Sequence, residues 1–117
     1  MQPHTGACHC KNVMYTVDVD LSQSVIECNC SYCAMKGYLL AMVPATAVTI
    51  IKGEDSLTTY RFNKEVIDHQ FCTTCGIGVF GRGKGPDGSE SFAINVRTID
   101  DVDLNTLTRM AYDGKSV

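Results

Sequence analysis

The chain has 117 residues, a length typical of one domain, and it carries 10 Lys and Arg against 13 Asp and Glu for a formal net charge of −3. This charge balance argues against a nucleic-acid partner, because a protein that binds nucleic acid needs a basic face. No apolar run approaches the roughly 20 residues of a membrane span, and the first residues lack the basic and apolar segments of a signal peptide. We therefore expect a single cytoplasmic domain over residues 1–117 that does not associate with membranes.

Apolar residues recur with a period of two along most of the chain, which predicts β-strands. The predicted strands cover residues 13–19, 38–43, 47–51, 57–62, 66–71, 78–81 and 92–96. We expect residues 57–62 and 66–71 to pair around Asn63 and Lys64, and we expect a turn over the glycine-rich residues 83–88. Residues 100–111 are predicted as a short helix or an irregular tail. The pattern favours a mainly β, mainly antiparallel protein with no helix longer than about three turns.

The seven cysteines set this sequence apart from an ordinary small β protein. Their number is odd and no export signal accompanies them, which argues against a secreted disulfide framework. Thiols clustered this closely in a reducing compartment are typical of metal ligands. The cysteines are Cys8, Cys10, Cys28, Cys30, Cys33, Cys72 and Cys75.

The cysteines fall into three motifs with metal-ligand spacing. Cys8 and Cys10 form C-x-C, residues 28–33 form C-x-C-x-x-C, and residues 72–76 form C-x-x-C-G. In the last motif, Gly76 permits a positive φ, so that backbone N–H groups can turn toward the sulfurs. One C-x-x-C alone is weak evidence, but the three motifs together indicate a zinc protein.

The number of thiols divides into four and three. Structural zinc takes four ligands, so Cys8, Cys10, Cys72 and Cys75 can close one site that links the two ends of the chain. Cys28, Cys30 and Cys33, which we expect on one short loop, then leave a fourth position open, as in reactive zinc sites. We therefore expect two zinc ions per chain, the second more weakly held and partly occupied. Three alternatives remain open: closure of the triplet by His4, His9 or His69, a binuclear cluster with a bridging thiolate, or an iron–sulfur centre.

At these motifs the chain resembles the glutathione-dependent formaldehyde-activating enzymes and their centromere protein V relatives. The resemblance covers residues 5–103 and rests on residues 6–10, residues 28–33 and residues 71–76, with residues 95–100 similar to the closing strand of the family. It implies antiparallel sheets that meet like a tent around a structural zinc. It also implies that Cys8, Cys10, Cys72 and Cys75 are the structural ligands and that Cys28, Cys30 and Cys33 hold a second, catalytic zinc.

The resemblance further implies a carbon–sulfur lyase activity that joins glutathione to formaldehyde. Near the triplet this chain departs from the family, since Asn29 replaces a common histidine and Ala34-Met35 replaces a common basic pair. The loss of positive charge weakens the expectation of an anionic tripeptide there. Lys36 follows one position later.

A second zinc in the triplet would hold a substrate thiol as the nucleophilic thiolate beside a small aldehyde. Asn29, Ser31 and Tyr32 are candidate donors to the developing alkoxide, although short polar residues between ligands usually just hydrogen-bond the sulfurs. Weaker candidates for the pocket or for gripping a substrate are His69, Arg61, Arg97, Arg82 and Lys84.

Two functional classes follow from the sequence. The first is a zinc enzyme acting on a thiol of the glutathione type and a small aldehyde, and the alternative is a non-catalytic zinc-binding β module that recognises a macromolecule. The absence of a basic extension favours the enzyme.

Overall fold

The computed structural model describes residues 2–61, 67–84, 87–100 and 102–112. In these ranges the chain forms ten strands and one α-helix, which confirms the prediction of a mainly β protein. The elements are β1 (Gln2–Ala7), β2 (Met14–Val19), β3 (Val25–Cys28), α1 (Ser31–Lys36), β4 (Leu40–Pro44), β5 (Val48–Lys52), β6 (Leu57–Tyr60), β7 (Asp68–Cys72), β8 (Gly78–Lys84), β9 (Glu90–Asn95) and β10 (Arg109–Tyr112). No helix of the described residues is long and apolar enough to cross a bilayer.

The strands form a small sheet and a large sheet. The small sheet has the order β1-β2-β5, and the large sheet has the order β10-β3-β4-β9-β8-β7-β6. The pairs are antiparallel except for β10 and β3, which run parallel, so the sheets are mainly antiparallel as predicted. The parallel pair arises because β10 returns from a distant part of the chain rather than through a hairpin.

The core lies between the two sheets. Val13, just before β2, and Tyr15, Val17 and Val19 on β2 are buried, as the period-two pattern predicts. The Tyr15 ring meets Phe80 of the large sheet edge-on at a centroid distance of 5.9 Å. The buried Tyr15 hydroxyl is paired with Thr98 at 2.6 Å, which satisfies its polar atom inside an otherwise apolar core.

Most predicted strands are present, with shifted ends. The predicted strand over residues 38–43 begins two residues later, because Tyr38 and Leu39 are buried in the connection from α1. The predicted pair over residues 57–62 and 66–71 is confirmed as β6 and β7, while the connection around Asn63 and Lys64 lies outside the described residues. Strand β8 continues to Lys84, so the expected turn starts later than predicted; Gly85 and Pro86 lie outside the described residues.

The sequence pattern missed four elements. Strand β1 lacks a clean alternation of apolar residues, strand β3 has only four residues, and α1 was expected to be a loop. Residues 100–111 were predicted as a helix or an irregular tail. They instead contain a 3-10 turn at Leu104–Thr106 and end in β10, whose side chains are exposed on an edge strand. A four-residue strand with exposed side chains shows no alternation of apolar and polar residues, so the sequence pattern cannot predict it.

Gly6 offers a direct test of how the small sheet packs. A Cβ at Gly6 would overlap the buried ring of Tyr15, which has no room to move. We expect Gly6→Ala to lower the free energy of unfolding by about 1–3 kcal/mol in chemical denaturation, the usual cost of overpacking a core. At Gly81 a Cβ would meet only ordinary contacts, the nearest at 3.4 Å. Gly81→Ala is therefore the matched control, and equal stability of the two variants would contradict this packing.

Candidate metal centres

Four thiols from distant parts of the chain meet between the two sheets. Cys8 and Cys10 follow β1 of the small sheet, Cys72 ends β7 of the large sheet, and Cys75 lies in the turn between β7 and β8. Their sulfur atoms all lie within 4.8 Å of one another. The structure thus brings together the set expected from the sequence, here called the four-thiol cluster.

The spacing of the sulfurs in the four-thiol cluster fits a tetrahedral metal ion. The Sγ atom of Cys10 lies 3.6 Å from the Sγ atoms of both Cys8 and Cys72. Four sulfurs placed at about 2.3 Å from a zinc ion would be separated by roughly 3.8 Å, the edge of the tetrahedron. The observed distances are close to that edge and far above the roughly 2.05 Å of a disulfide bond. The seven cysteines are free thiols.

Backbone N–H groups point at these sulfurs, as the knuckle at Gly76 was expected to permit. Gly76 has φ +78°. Its N–H donates to the carbonyl of Cys72 at 2.8 Å, while Thr74 N–H lies 3.4 Å from the Cys72 sulfur. On the other motif, Val13 N–H donates to the Cys8 sulfur at 3.3 Å. Such donors favour thiolates, the form that binds a metal.

The thiols of the four-thiol cluster have pKa values that diverge. Burial raises the pKa of Cys75, but the N–H groups of Ile77 and Cys10 and the neighbouring thiols outweigh it and hold that pKa at about 6. The Asn12 N–H lowers the pKa of Cys10, but desolvation and the surrounding sulfurs overcome it and raise that pKa to about 11. Adjacent thiols cannot all ionise without a positive charge between them. The donor set therefore fits a divalent cation.

The second cluster lies where β3 leads into α1. Cys28 is the last residue of β3, Cys30 is the N-cap of α1, and Cys33 is buried within that helix. Their three sulfur atoms also lie within 4.8 Å of one another, and they form the three-thiol cluster. The expectation of a single short loop was wrong. Cys30 accepts a hydrogen bond from Cys33 N–H at 3.4 Å, a capping contact that starts a helical turn.

Ionisation in the three-thiol cluster is unevenly distributed. Burial opposes ionisation of Cys30, but the Cys33 N–H and the neighbouring thiols outweigh it, so the pKa of Cys30 is lowered. Burial raises the pKa of Cys33, and the adjacent thiols raise it further. Cys30 is thus the first of these two thiols to ionise, and a cation would be needed to hold the thiols together as thiolates.

None of the three histidines joins the three-thiol cluster. Among the described residues, no His, Asp or Glu belongs to either group of ligand atoms within 4.8 Å. His4 lies on β1 and His9 is exposed beside the four-thiol cluster. His69 lies on β7 and contacts Tyr32 in a tilted arrangement, with ring centroids 4.5 Å apart and ring planes at 49°. Burial lowers the pKa of His69 and Asp68 opposes this effect.

Several tyrosines lie on the elements that carry the three-thiol cluster or next to them, and the sequence pointed to only one of them, Tyr32. Tyr32 of α1 stacks on Tyr60 of β6 at 5.3 Å and 22° and lies 5.8 Å from Tyr38. Tyr112 of β10 pairs in register with Cys28, so the two side chains lie on the same face of the sheet. Tyr60 and Tyr112 have no motif around them in the sequence, and only the strand pairing reveals their positions.

Other sequence candidates are placed as follows. Asn29 donates its N–H to the Tyr112 carbonyl at 3.1 Å, and Ser31 is the exposed first residue of α1. Arg97 Nε donates to the Gly37 carbonyl at the end of α1 at 2.9 Å. This hydrogen bond holds the end of the helix, so the Arg97 guanidinium has a structural partner. Arg61 pairs with Asp68 at 2.6 Å.

Arg82 lies 3.6 Å from Glu54 and 3.4 Å from Glu90, and its guanidinium lies over the Phe92 ring. Lys84 is exposed at the end of β8. Neither residue belongs to a cysteine cluster. Both charges lie toward the end of β8, the strand that begins after the Cys75 turn.

Comparison with known proteins agrees with this arrangement. Residues 3–112 match the family described as glutathione-dependent formaldehyde-activating enzyme, or GFA. The fold is similar to the crystal structure of a Rhodobacter sphaeroides protein, with a TM-score of 0.79 and 25% sequence identity over 92% of this chain and 99% of that chain. The matched residues include both cysteine clusters. The chain belongs to the glutathione-dependent formaldehyde-activating enzyme family.

Proposed function

We propose that this protein is a zinc-dependent carbon–sulfur lyase that reversibly joins a thiol of the glutathione type to a small aldehyde such as formaldehyde. The observation that carries the proposal is the three-thiol cluster, which offers three protein ligands where the four-thiol cluster offers four. Membership of the family supports the reaction class.

We assign the two clusters different tasks. Cys8, Cys10, Cys72 and Cys75 would hold a structural zinc, and Cys28, Cys30 and Cys33 would hold a second zinc. When bound, the second zinc would supply a centre that favours the thiolate form of a substrate thiol. Because thiol ligands must stay reduced, we place the protein in a reducing compartment such as the cytoplasm.

The reaction itself is an addition. The sulfur of the substrate forms a bond to the carbonyl carbon, the π electrons of the C=O bond move to the oxygen, and the proton lost from the thiol ends on that oxygen. Bringing both small reactants together at one surface lowers the barrier through proximity. The reverse reaction, which breaks the C–S bond, gives the lyase direction.

The tyrosines provide a hydrogen-bond donor to the oxygen that receives this proton. Burial raises the pKa of Tyr38, and the neighbouring Tyr32 hydroxyl and the Cys33 thiol raise it further. Tyr38 therefore stays protonated and can donate to Tyr32 next to it. Tyr32 lies between Cys30 and Cys33 in the chain and can pass a hydrogen bond to a developing alkoxide. We favour Tyr32 over Asn29 and Ser31, because its ring lies beside the buried Tyr38 and its position in the chain is between Cys30 and Cys33.

We expect Cys72→Ser to lose about one zinc per chain and most of the cooperative thermal transition, because the energy of binding a structural metal is folding energy. Metal content by mass spectrometry and thermal denaturation measure the two effects. The adjacent Thr73→Ser variant keeps the hydroxyl that bonds the Ser56 carbonyl and is the matched control. A Cys72→Ser protein with full zinc and unchanged melting would refute the structural assignment.

We expect Cys30→Ser to lose the second zinc while retaining most of the thermal transition, and to slow adduct exchange between ¹³C-formaldehyde and glutathione by at least tenfold in NMR exchange spectroscopy. The physical reason is that Cys30 both ligates the metal and caps α1, whereas the four-thiol cluster stays intact.

Cobalt substitution separates an enzyme from a binding module. In the cobalt protein an added thiol should change the charge-transfer absorption of the second site, and Cys30→Ser should abolish that change. A cobalt spectrum that ignores added thiols, together with no acceleration of adduct exchange by the wild type, would contradict the enzyme. The result would favour a zinc module that recognises a macromolecule.

A further inference from the structure

Strand β3, which ends at Cys28 of the three-thiol cluster, is paired more extensively on one side than on the other. Towards β4, within the described part of the chain, its register holds only between Ile26 and Leu40. Towards β10 the register runs over the whole strand and ends with Cys28 opposite Tyr112. The strand that delivers Cys28 is therefore held mainly by β10, at the edge of the large sheet.

The support from β10 continues into the C-x-C motif. Asn29 lies between Cys28 and Cys30, and its N–H donates to the Tyr112 carbonyl at 3.1 Å. A hydrogen bond to this N–H fixes the plane of the peptide that joins Cys28 to Asn29. The direction in which the chain leaves Cys28 towards Cys30 is thus set by β10.

Strand β10 has little other structural work to do. Its four side chains are exposed, so the strand itself buries little apolar surface. Arg109 lies 3.5 Å from Glu27, but both side chains are exposed and such an ion pair contributes little. The residue before the strand, Leu107, packs against the core and anchors its start. The pairing of β10 therefore serves mainly to hold β3.

The backbone of β10 faces β3 at alternate residues, as in any parallel pair. The carbonyls of Thr108 and Tyr112 accept hydrogen bonds from the β3 side at 2.8 and 3.1 Å. The backbone groups of Met110, midway between them, therefore also face β3. Those of Arg109 and Ala111 face the free edge of the sheet. Neighbouring positions on one strand thus differ in whether they contribute to the support of Cys28.

We propose that β10 is a positioning element of the three-thiol cluster, and that the hydrogen bond from Asn29 to Tyr112 places Cys28 for metal binding. The inference rests on the function proposed above and adds a strand from a distant part of the chain to the reactive site. Thiols that already lie together lose less conformational freedom when a cation binds. The four-thiol cluster shares no residue with β3 or β10, so its metal affinity is independent of this strand.

Two proline variants of the full chain test the proposal. Met110→Pro removes an N–H that faces β3, whereas Ala111→Pro removes one at the free edge, where proline is tolerated. Both replaced side chains are exposed. We expect Met110→Pro to weaken binding of the second cobalt ion by about threefold to tenfold, the size of one lost backbone hydrogen bond. Ala111→Pro should change it less than about twofold. Titration with cobalt against a competing chelator measures the affinity.

Spectra separate positioning from a general loss of structure. The two variants should have the same near-ultraviolet circular dichroism, because β10 places no side chain in the core. The visible absorption of the second cobalt site should change in Met110→Pro alone. Tyr112→Pro changes the same side of β10 at its last residue and replaces Met110→Pro in the comparison if that variant does not fold. Tyr112→Phe keeps the backbone donor and acceptor and should have the wild-type affinity.

The outcomes are distinct from those that test the proposed function. Weaker binding of the second cobalt ion in Met110→Pro than in Ala111→Pro, with equal tertiary signals, supports the inference. Equal affinities overturn it, as does loss of the tertiary signal in both variants that face β3. Acceleration of glutathione–formaldehyde exchange by the wild type would then leave the proposed enzyme standing. Dependence of the affinity on β10 without any such acceleration would refute the enzyme alone, and a wild type that binds a single cobalt ion overturns both.

Discussion

Four thiols from opposite ends of the chain come together at the meeting of the two sheets, and the positions of the other elements follow from this junction. Cys8 and Cys72 are almost completely buried within the hydrophobic core. Without a cation, ionisation of one thiol disfavours ionisation of its neighbours, so the pKa of Cys75 is lowered while that of Cys10 is raised. A divalent ion would remove that conflict and join β1 to β7 at the same time. A chain of 117 residues has a modest core, so such a link carries much of the stability.

The three-thiol cluster has a different physical character. It is built within six consecutive residues and depends on local structure, since Cys30 caps the helix that carries Cys33. Helix α1 is in turn held against the large sheet. Tyr38 occupies the space that a side chain at position 78 would need, and Arg97 binds the carbonyl of Gly37 at the helix end. A site assembled this way can lose its ion without separating the sheets, which suits an exchangeable reactive centre rather than a link between them.

The grouping of the cysteines can be predicted from the sequence more fully than the residues that surround them in the structure. Cysteine spacing and ligand counting predict both clusters, because each motif is local and the count leaves a natural division into four and three. The strand pattern predicts β2 and β9, in which the buried apolar residues alternate with less buried ones. It cannot reveal β10, a short exposed edge strand, nor the helical turn at residues 31–36, where the capping thiol and tertiary packing decide the backbone. Tyr60 and Tyr112 reach the three-thiol side only through strand pairing, which a single sequence does not encode locally.

Our central proposal is that the two cysteine clusters, which differ in ligand number, hold two zinc ions, of which only one supports the fold. Stepwise chelation of the wild-type protein tests this most directly, with zinc per chain counted alongside near-ultraviolet circular dichroism. The account predicts that one zinc leaves first with the tertiary signal preserved, and that removal of the second abolishes the signal. Release of both ions in a single step, or unfolding on loss of the first, would contradict it.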